Sequence, residues 1–258
     1  MNSDSSRMLM SADDAPPVRI VNPHGSSPFL LIGDHAGNAV PTSLKSLGLP
    51  EHEMTRHIAW DIGIAGFGER LSAALDAVFI SQVYSRLVID CNRDPQAPDA
   101  VPAISDATVI PGNCELDLAD RTARVRHIHA PYQDAIAVEL ERRDKAGEPA
   151  ILVSLHSFTP VMQGLARPWN IGVLHSEGHS GFALSVLSLL RSRGELTVGD
   201  NQPYAMNSID YTVPRHAFRQ RRAYVEIEIR QDLLVSGEQQ AEWSGLLAQV
   251  LKQAQRLS

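Results

Sequence analysis

The sequence has few cysteines and no long hydrophobic run. Cys91 and Cys114 are the only two cysteines among 258 residues, which is too few for a disulfide scaffold and lacks the close spacing of a structural zinc knuckle. No apolar stretch approaches the ~20 residues that a membrane-spanning helix needs. These absences exclude a disulfide-rich secreted domain and membrane insertion, and they predict a reduced, cytoplasmic setting.

Positive charge is also scarce. The 23 Lys and Arg residues are outnumbered by 30 Asp and Glu residues, and the net charge is −7. This charge opposes binding to polyanions, and no basic cluster with interleaved aromatics compensates for it, so nucleic acid is not an expected partner. There is no P-loop, and no G-x-G-x-x-G motif opens a helix. The expected partner is a small molecule, and the sequence leaves the oligomeric state open.

What the chain does contain is an alternation of strand-like and helix-like segments. Short apolar runs predict strands at 29–32, 78–84, 150–155, 171–174 and 224–229. Apolar residues at helical spacing predict helices at 64–75, 116–145, 181–193 and 238–257, and Pro131 should divide or kink the second of these. This order indicates an α/β fold.

No linker divides the chain, which predicts a single domain over residues 18–258. Residues 1–17 are rich in Ser and Asp and contain paired prolines, so they are predicted to form a flexible tail. The segments 94–113 and 199–222 are predicted to be long irregular loops. Loops of this length in compact domains are often functional.

His35 and His156 are candidate metal ligands. Each follows an apolar strand-like run, and the carboxyl ends of strands are where open α/β sheets keep their chemistry. A catalytic zinc usually takes three protein ligands and leaves one position for water. Asn38 lies within reach of His35 but offers a weakly donating amide oxygen, whereas the carboxylate of Asp61 is the better donor. Asp61 has an alternative role as the N-cap of the next helix.

Arginine side chains are concentrated after the strand at 78–84. Arg93, with Asn92 beside it, could clamp a substrate carboxylate, and Arg86 could stabilise an oxyanion. The alternative is an internal ion pair, with Asp90 for Arg86 and with Asp94 for Arg93.

The segment 224–232 alternates with a period of two, which sends its charged residues to one face of a strand. Glu228 is the candidate general base on this face. Glu226 is the alternative base, or it could pair with Arg230. A serine hydrolase using Ser157 or Ser85 is a competing hypothesis, although no G-x-S-x-G motif is present. A third hypothesis is a sensor that binds a carboxylate metabolite in the same pocket without turning it over.

Six segments together are similar to a known family: DHAGNAVP at 34–41, HIAWDIG at 57–63, SRLVIDCNR at 85–93, LHSF at 155–158, GDNQPY at 199–204 and VEIEIRQDL at 225–233. They resemble the N-formylglutamate amidohydrolase family, a relative of the zinc carboxypeptidases and aspartoacylases. The resemblance implies a single-domain, three-layer α/β/α fold of the zinc-carboxypeptidase (phosphorylase/hydrolase-like) kind, with a central mixed sheet. It also implies hydrolysis of N-formyl-L-glutamate to formate and L-glutamate, a late step of bacterial histidine degradation, with a divalent metal that is zinc or, as an alternative, cobalt.

The resemblance also implies roles for the candidate residues. His35 and His156 fall where two metal ligands belong, Asn92 and Arg93 where a carboxylate binds, Arg86 where the oxyanion is met, and Glu228 where the general base sits. The zinc carboxypeptidase pattern has a glutamate three residues after the first histidine, where this chain has Asn38. Asp61 is therefore expected as the third ligand and Asn38 as a substrate-binding residue, with Asn38 open as an alternative ligand.

Overall fold

A central seven-stranded sheet organises the computed structural model, which describes residues 8–257. Its strands are β1 (Val18–Val21), β2 (Phe29–Gly33), β3 (Val78–Gln82), β6 (Ile151–Phe158), β9 (Ile171–Leu174), β10 (Val198–Asp200) and β11 (Tyr224–Arg230). Two small hairpins lie outside the sheet and are formed by β4 (Ile104–Ser105) with β5 (Thr108–Val109) and by β7 (Val161–Met162) with β8 (Leu165–Ala166).

The sheet is mixed and has the strand order β1-β3-β2-β6-β11-β9-β10. The inner strands β3, β2, β6 and β11 run parallel to one another, whereas β1 is antiparallel to β3, and β9 is antiparallel to β11. Parallel strands are covered on both faces and therefore tend to be apolar throughout, which is why the sequence signals for these strands are short continuous hydrophobic runs.

Helices cover both faces of the sheet. They are α1 (Glu51–Met54), α2 (Ile64–Leu75), α3 (Leu118–Arg124), α4 (Ala130–Ala146), α5 (Gly181–Arg191) and α6 (Gly237–Gln255). The first apolar core joins α2, α5 and α6 to one face, and the second joins the α3–α4 segment to the other. The predicted three-layer α/β/α fold with a mixed sheet is confirmed.

The predicted helix at 116–145 is interrupted just before Pro131. A π-helical turn, Val125–His129, separates α3 from α4, and Pro131 lies in the first turn of α4. Proline has no N–H to donate to the preceding turn, and the first turn of a helix tolerates this loss. The chain therefore changes from α-helix to one π-helical turn and back to α-helix around this point.

The described part of the predicted tail makes specific contacts. Leu9 is buried, and its carbonyl accepts a hydrogen bond of 2.6 Å from the Ser43 hydroxyl. The Tyr84 hydroxyl donates to the carbonyl of Ala15 at 2.6 Å. Residues 8–17 thus pack on the domain, while residues 1–7 of the predicted tail lie outside the described residues. Between residues 8 and 257, no helix combines the length and the apolarity needed to cross a bilayer.

Candidate active site

A cavity of about 520 Å³ opens near the carboxyl ends of β2, β6 and β11. Its floor is built from sheet residues and the segments that directly follow them, and its walls come largely from the two long loops at 94–113 and 199–222. The lining residues include His35, Asp61, Arg86, Asp90, Asn92, Arg93, Asp106, His156, Tyr204, Asp210, Glu226 and Glu228. Both segments predicted as functional loops therefore contribute to the cavity.

Three of the predicted ligands meet at the cavity floor. Oδ2 of Asp61 lies 2.9 Å from Nδ1 of His156 and 3.5 Å from Nδ1 of His35. One potential ligand atom from each of the three residues lies within 4.8 Å of the others, and all three side chains are buried. Two imidazole nitrogens and one carboxylate oxygen are a donor set that can hold a divalent metal ion.

Asp61 is held beside His35 by the backbone. The N–H of Asp61 donates to the carbonyl of His35 at 2.8 Å. Gly63, at φ +88, separates Asp61 from α2 and occupies the N-cap position, where no side chain caps the helix. The carboxylate of Asp61 is therefore not used as an N-cap and points into the cavity instead.

His156 lies within β6, which corrects the prediction that the strand ends at Leu155. The strand runs on to Phe158, and residues 156–158 stay in register with β11. Ser154 and His156 lie on the same face because side chains alternate along a strand. Polar residues here mark a polar face of the strand, whereas the sequence interpretation took them for its end.

Each histidine is oriented by a second carboxylate that the sequence interpretation did not assign to the site. Nε2 of His35 lies 2.7 Å from Oδ1 of Asp90, and Nε2 of His156 lies 3.2 Å from Oδ2 of Asp34. In metal sites, such carboxylates fix the ring orientation and leave the other nitrogen for the metal. In the sequence, Asp90 directly follows an apolar run and Asp34 follows one after Gly33, but this position does not reveal which histidine each carboxylate faces.

The charges of the cluster support one another. Burial acts to lower the pKa of His156, but hydrogen bonds to Asp34 and Asp61 outweigh it and raise this pKa well above its usual range. Burial likewise acts to raise the pKa of Asp61, but the charges of His35 and His156 and the hydrogen bond to His156 lower it. The carboxylates are therefore ionised and ready to act as ligands.

Nδ1 of His35 is a buried nitrogen without a hydrogen-bond partner. Its nearest carboxylate oxygen, in Asp61, is 3.5 Å away, which is too long for a good N–H···O bond. An unsatisfied buried polar group costs about 1–3 kcal/mol. A cation bound between His35, Asp61 and His156 would supply the missing partner.

Arg86 makes the internal ion pair that was the alternative to an oxyanion role. Its Nη2 lies 2.7 Å from Oδ2 of Asp90, and its Nη1 lies 3.5 Å from Oδ1 of Asp61. Burial acts to lower the pKa of Arg86, but Asp90 and Asp61 raise it, so the guanidinium stays charged. The side chain is still 26% exposed and lines the cavity. Arg86 therefore pairs with the carboxylates of Asp61 and Asp90, and its exposed part faces the cavity.

Arg93 and Asn92 also line the cavity, and both already have partners. Nε of Arg93 donates to Asp99 at 3.1 Å, so this arginine pairs with Asp99 rather than with its sequence neighbour Asp94. Oδ1 of Asn92 accepts hydrogen bonds from the backbone N–H groups of residues 211 and 212, at 2.9 and 3.0 Å. Asn92 thus anchors the 199–222 loop.

Asn38 is not brought to the cavity, contrary to its prediction as a substrate-binding residue or ligand. Its Nδ2 donates to the carbonyl of Met54 at 3.2 Å, and it is not among the residues that line the cavity. The reason is the path of the backbone. Ala39 bridges to Tyr84, and its N–H donates to Val83, so the chain leaves the site directly after Gly37.

Glu226 and Glu228 extend from β11 into the cavity, as the alternation predicts. Oε2 of each is buried and has no hydrogen-bond partner. Burial raises the pKa of each carboxyl to about 8, although the charge of His156 acts to lower it. Arg230 pairs with Asp232 at 2.7 Å, so it does not hold Glu226. Both carboxyls are therefore poised to exchange a proton near neutral pH.

The serines proposed as nucleophiles are not paired with a histidine. The Ser157 hydroxyl donates to the carbonyl of Ile62 at 2.9 Å, and the Ser85 hydroxyl donates to the carbonyl of Ala59 at 2.7 Å. A serine nucleophile needs a base within hydrogen-bond reach. The geometry does not support a serine hydrolase.

Comparisons with known proteins identify a family and a shared fold. The family model for N-formylglutamate amidohydrolase matches residues 27–235. The gene product Atu2144 from Agrobacterium tumefaciens is 34% identical, with 96% of this chain and 98% of that chain covered and a TM-score of 0.93. N-formylglutamate amidohydrolase from Ralstonia eutropha JMP134 is 15% identical over 93% of this chain and 99% of that chain, and its TM-score of 0.70 indicates a shared fold. No curated protein matches the sequence.

Proposed function

Since the chain belongs to the N-formylglutamate amidohydrolase family and is an amidohydrolase, we propose that it uses a divalent metal to hydrolyse a small N-acyl amino acid. The proposed substrate is N-formyl-L-glutamate, which gives formate and L-glutamate, and the proposed metal is zinc, with cobalt as the alternative. The observation that carries this proposal is the unpartnered Nδ1 of buried His35, which faces Asp61 and His156 at the floor of the cavity.

His35, Asp61 and His156 are the residues that would hold the metal. The set of two imidazoles and one carboxylate is typical of catalytic zinc sites, and the carboxylates behind both histidines are the usual support of such ligands. When bound, the ion would polarise the amide carbonyl and lower the pKa of a water molecule. The fit of the donor set supports a metal, while the choice between zinc and cobalt is left to experiment.

Glu228 is the proposed general base. It pairs in register with His156, and its pKa is raised to about 8, mainly by burial. A carboxyl with this pKa can take a proton from the attacking water and return it to the leaving amine near neutral pH. The charge of His156 acts on both carboxyls, but Asp61 and Arg86 also act on Glu228, whereas Asp210, Glu228 and Asp34 act on Glu226. This difference favours Glu228 as the group beside the metal ligands.

The two cavity arginines are the proposed anion-binding groups. Arg93 would exchange its contact with the half-exposed Asp99 for a carboxylate of the substrate, and Arg86 would face the oxygen on which negative charge develops. Asn92 would keep Arg93 in place, because its backbone carbonyl accepts from Nη1 of Arg93 at 2.8 Å. We also propose a cytoplasmic role in histidine degradation, in line with the two free cysteines.

The test measures formate release by protein freed of metal with a chelator, before and after zinc or cobalt is added. N-formyl-L-glutamate is compared with N-formyl-L-glutamine, which lacks the second carboxylate, and with N-acetyl-L-glutamate. We expect metal-dependent formate release that is fastest with N-formyl-L-glutamate. Full activity without metal would overturn the metal-dependent mechanism, and faster turnover of N-formyl-L-glutamine would overturn the substrate assignment.

A pair of histidine variants separates the proposed site from adventitious metal binding. His35→Ala should lose the bound zinc, measured as zinc per chain, together with the activity. His52→Ala changes an exposed histidine in α1 and should alter neither. Equal zinc content in the two variants would refute His35 as a ligand.

A further inference from the structure

A chain of buried polar contacts runs from His216 to the proposed ligand His156. Nε2 of His216 lies 2.7 Å from Oε1 of Gln133, and Nε2 of Gln133 donates to Oγ1 of Thr212 at 3.1 Å. Oγ1 of Thr212 donates to Oδ1 of Asp34 at 2.6 Å, and Oδ2 of Asp34 lies 3.2 Å from Nε2 of His156. This buried polar chain links α4, the 199–222 loop, β2 and β6.

The hydrogen bonds from Gln133 and Thr212 lead toward Asp34. Gln133 also donates from Nε2 to the carbonyl of Cys91 at 2.9 Å, so its amide oxygen faces His216. The Thr212 hydroxyl accepts from Gln133 and donates to Oδ1 of Asp34 at 2.6 Å, a shorter contact than the 3.2 Å to the carbonyl of Cys91. On its other oxygen, Oδ2, Asp34 lies 3.2 Å from Nε2 of His156, and the Ser154 hydroxyl contacts both groups, at 3.3 and 3.1 Å. Nδ1 of His156 lies on the side of Asp61, 2.9 Å from Oδ2 of that residue.

Because these polar residues are buried, few alternative hydrogen-bond partners are open to them. Thr212 is 0% exposed, Asp34 1% and Gln133 2%. Polar groups at this depth are costly unless hydrogen-bonded, so none of the three can turn to water if a neighbour is removed. The 2.6 Å bond from Thr212 is shorter than the 3.3 Å bond from Ser154, so the Thr212 hydroxyl holds Asp34 more closely. The amide of Gln133 in turn helps to hold Thr212.

We propose that Thr212 and Gln133 are positioning residues for the metal site. Through Asp34 they hold the ring orientation of His156 that presents Nδ1 to the ion. Neither residue is among those that line the cavity, and neither contacts the reacting atoms. The inference rests on the metal site of the proposed function. It extends that site to a loop residue and a helix residue far from it in sequence.

The test removes the hydroxyl of Thr212 without changing the volume of the side chain. Loss of an outer-shell partner typically weakens metal affinity about 10–100-fold, and we expect a loss of this size in Thr212→Val. Thr212→Ser restores the hydroxyl and should recover most of the affinity. The readout is the dissociation constant for cobalt(II), obtained by titrating metal-free protein against a chromogenic chelator.

The matched control is Ser72→Ala. The Ser72 hydroxyl is equally buried and donates to the carbonyl of Ala77 at 2.6 Å, but it lies in α2 on the opposite face of the sheet. This variant should lose a similar amount of stability and keep its cobalt affinity. Equal affinity losses in Thr212→Val and Ser72→Ala would show a general structural effect and overturn the positioning role.

The outcomes separate this inference from the proposed function. If wild-type protein binds no cobalt, the metal site itself fails. If wild-type protein binds cobalt and Thr212→Val binds it equally well, the metal site stands and the positioning role is overturned. If Thr212→Val does not fold, Gln133→Leu carries the test, with an expected affinity loss of at least 3-fold, and an unchanged affinity in that variant overturns the proposal.

Discussion

The two faces of β6 and β11 are equally buried and chemically opposite. The face that packs under α5 and α6 is apolar and carries Val153, Leu155, Val225 and Ile227. The face that forms the cavity floor carries Ser154, His156, Glu226 and Glu228. Because side chains alternate along a strand, neighbouring residues in the chain belong to different environments.

The apolar face contributes mainly to the stability of the fold, and the polar face carries the groups that can do chemistry. Burying apolar surface stabilises the fold by about 25 cal/mol per Å², whereas burying polar groups is unfavourable unless they bond to one another or to a ligand. The apolar face therefore holds the sheet together, whereas the groups of the polar face bond to one another or, under the proposed function, to a metal and a substrate. Substitutions on the two faces should produce separable effects.

The largest effect is expected for Glu228→Gln on the polar face. Removing a general base typically lowers kcat by about 10²- to 10⁴-fold. Stability should be unchanged or higher, because burial already disfavours the charged form of Glu228. Steady-state kinetics and thermal unfolding check the two parts. The control is Glu226→Gln, two residues away on the same face, which should lower kcat less than 10-fold. If Glu226→Gln lowered kcat more than Glu228→Gln does, the general base would be Glu226.

The opposite result is expected for Ile227→Ala, one residue from Glu228 and on the apolar face. Replacing a buried Ile by Ala typically costs about 2–5 kcal/mol, and Ile227 is 0% exposed. Urea unfolding should show this loss, while kcat measured well below the melting temperature should stay within about 3-fold of wild type. A large loss of kcat in folded Ile227→Ala protein would contradict the prediction that the two faces have separate effects.

A pH-dependent loss of stability is expected from His216, a buried histidine on the side of the sheet that contains the cavity. Burial lowers the pKa of His216 to about 4, so the folded protein resists protonation that the unfolded chain accepts near pH 6.5. The stability contribution is complete above pH 6.5 and is lost as the pH falls toward 4, by up to about 3 kcal/mol. Urea unfolding at pH 7.5, 6 and 5 measures the slope. His216→Gln should flatten it, and an unchanged slope would refute the assignment.

The smallest effect is expected at the cavity wall. Arg93→Ala should raise the KM for N-formyl-L-glutamate about 10-fold, because hydrogen bonds to charged groups contribute about 1.5–3 kcal/mol, while kcat changes less. Arg142 on α4 forms an exposed pair with Glu148, just beyond the helix, and offers the control. Arg142→Ala should leave KM unchanged. A KM increase that is the same for N-formyl-L-glutamine would contradict a carboxylate clamp.

Much of the sheet could be predicted from the sequence, because apolar runs identify strands that are covered on both sides. The predictions missed β1 and β10, the two edge strands. Both are only three or four residues long, and their pairing depends on β3 and β9, which are distant in sequence. The end of β6 was predicted too early because Ser154 and His156 interrupt the apolar pattern while the backbone continues to pair.

The candidate site was predicted unevenly for a physical reason. The sequence allowed three ligands to be proposed, because His and Asp commonly bind metals. His35 and His156 follow apolar runs that predict strands, and Asp61 precedes a predicted helix. Asn38 was placed in the site on spacing alone, and the bridge between Ala39 and Tyr84 turns the backbone away. The roles of Asp34 and Asp90 depend on ring nitrogens that face them across the fold, and no sequence pattern carries that information.

The floor and the walls of the cavity differ in how freely they can change during evolution. The floor is held by sheet register, where a one-residue insertion would turn every following side chain to the other face. The walls come from the β4–β5 hairpin and from the segment around Tyr204 and Asp210, and loops of this kind tolerate insertion and substitution. Changes in loop length can therefore alter which substrates the cavity admits, while the residues of the floor are inherited intact.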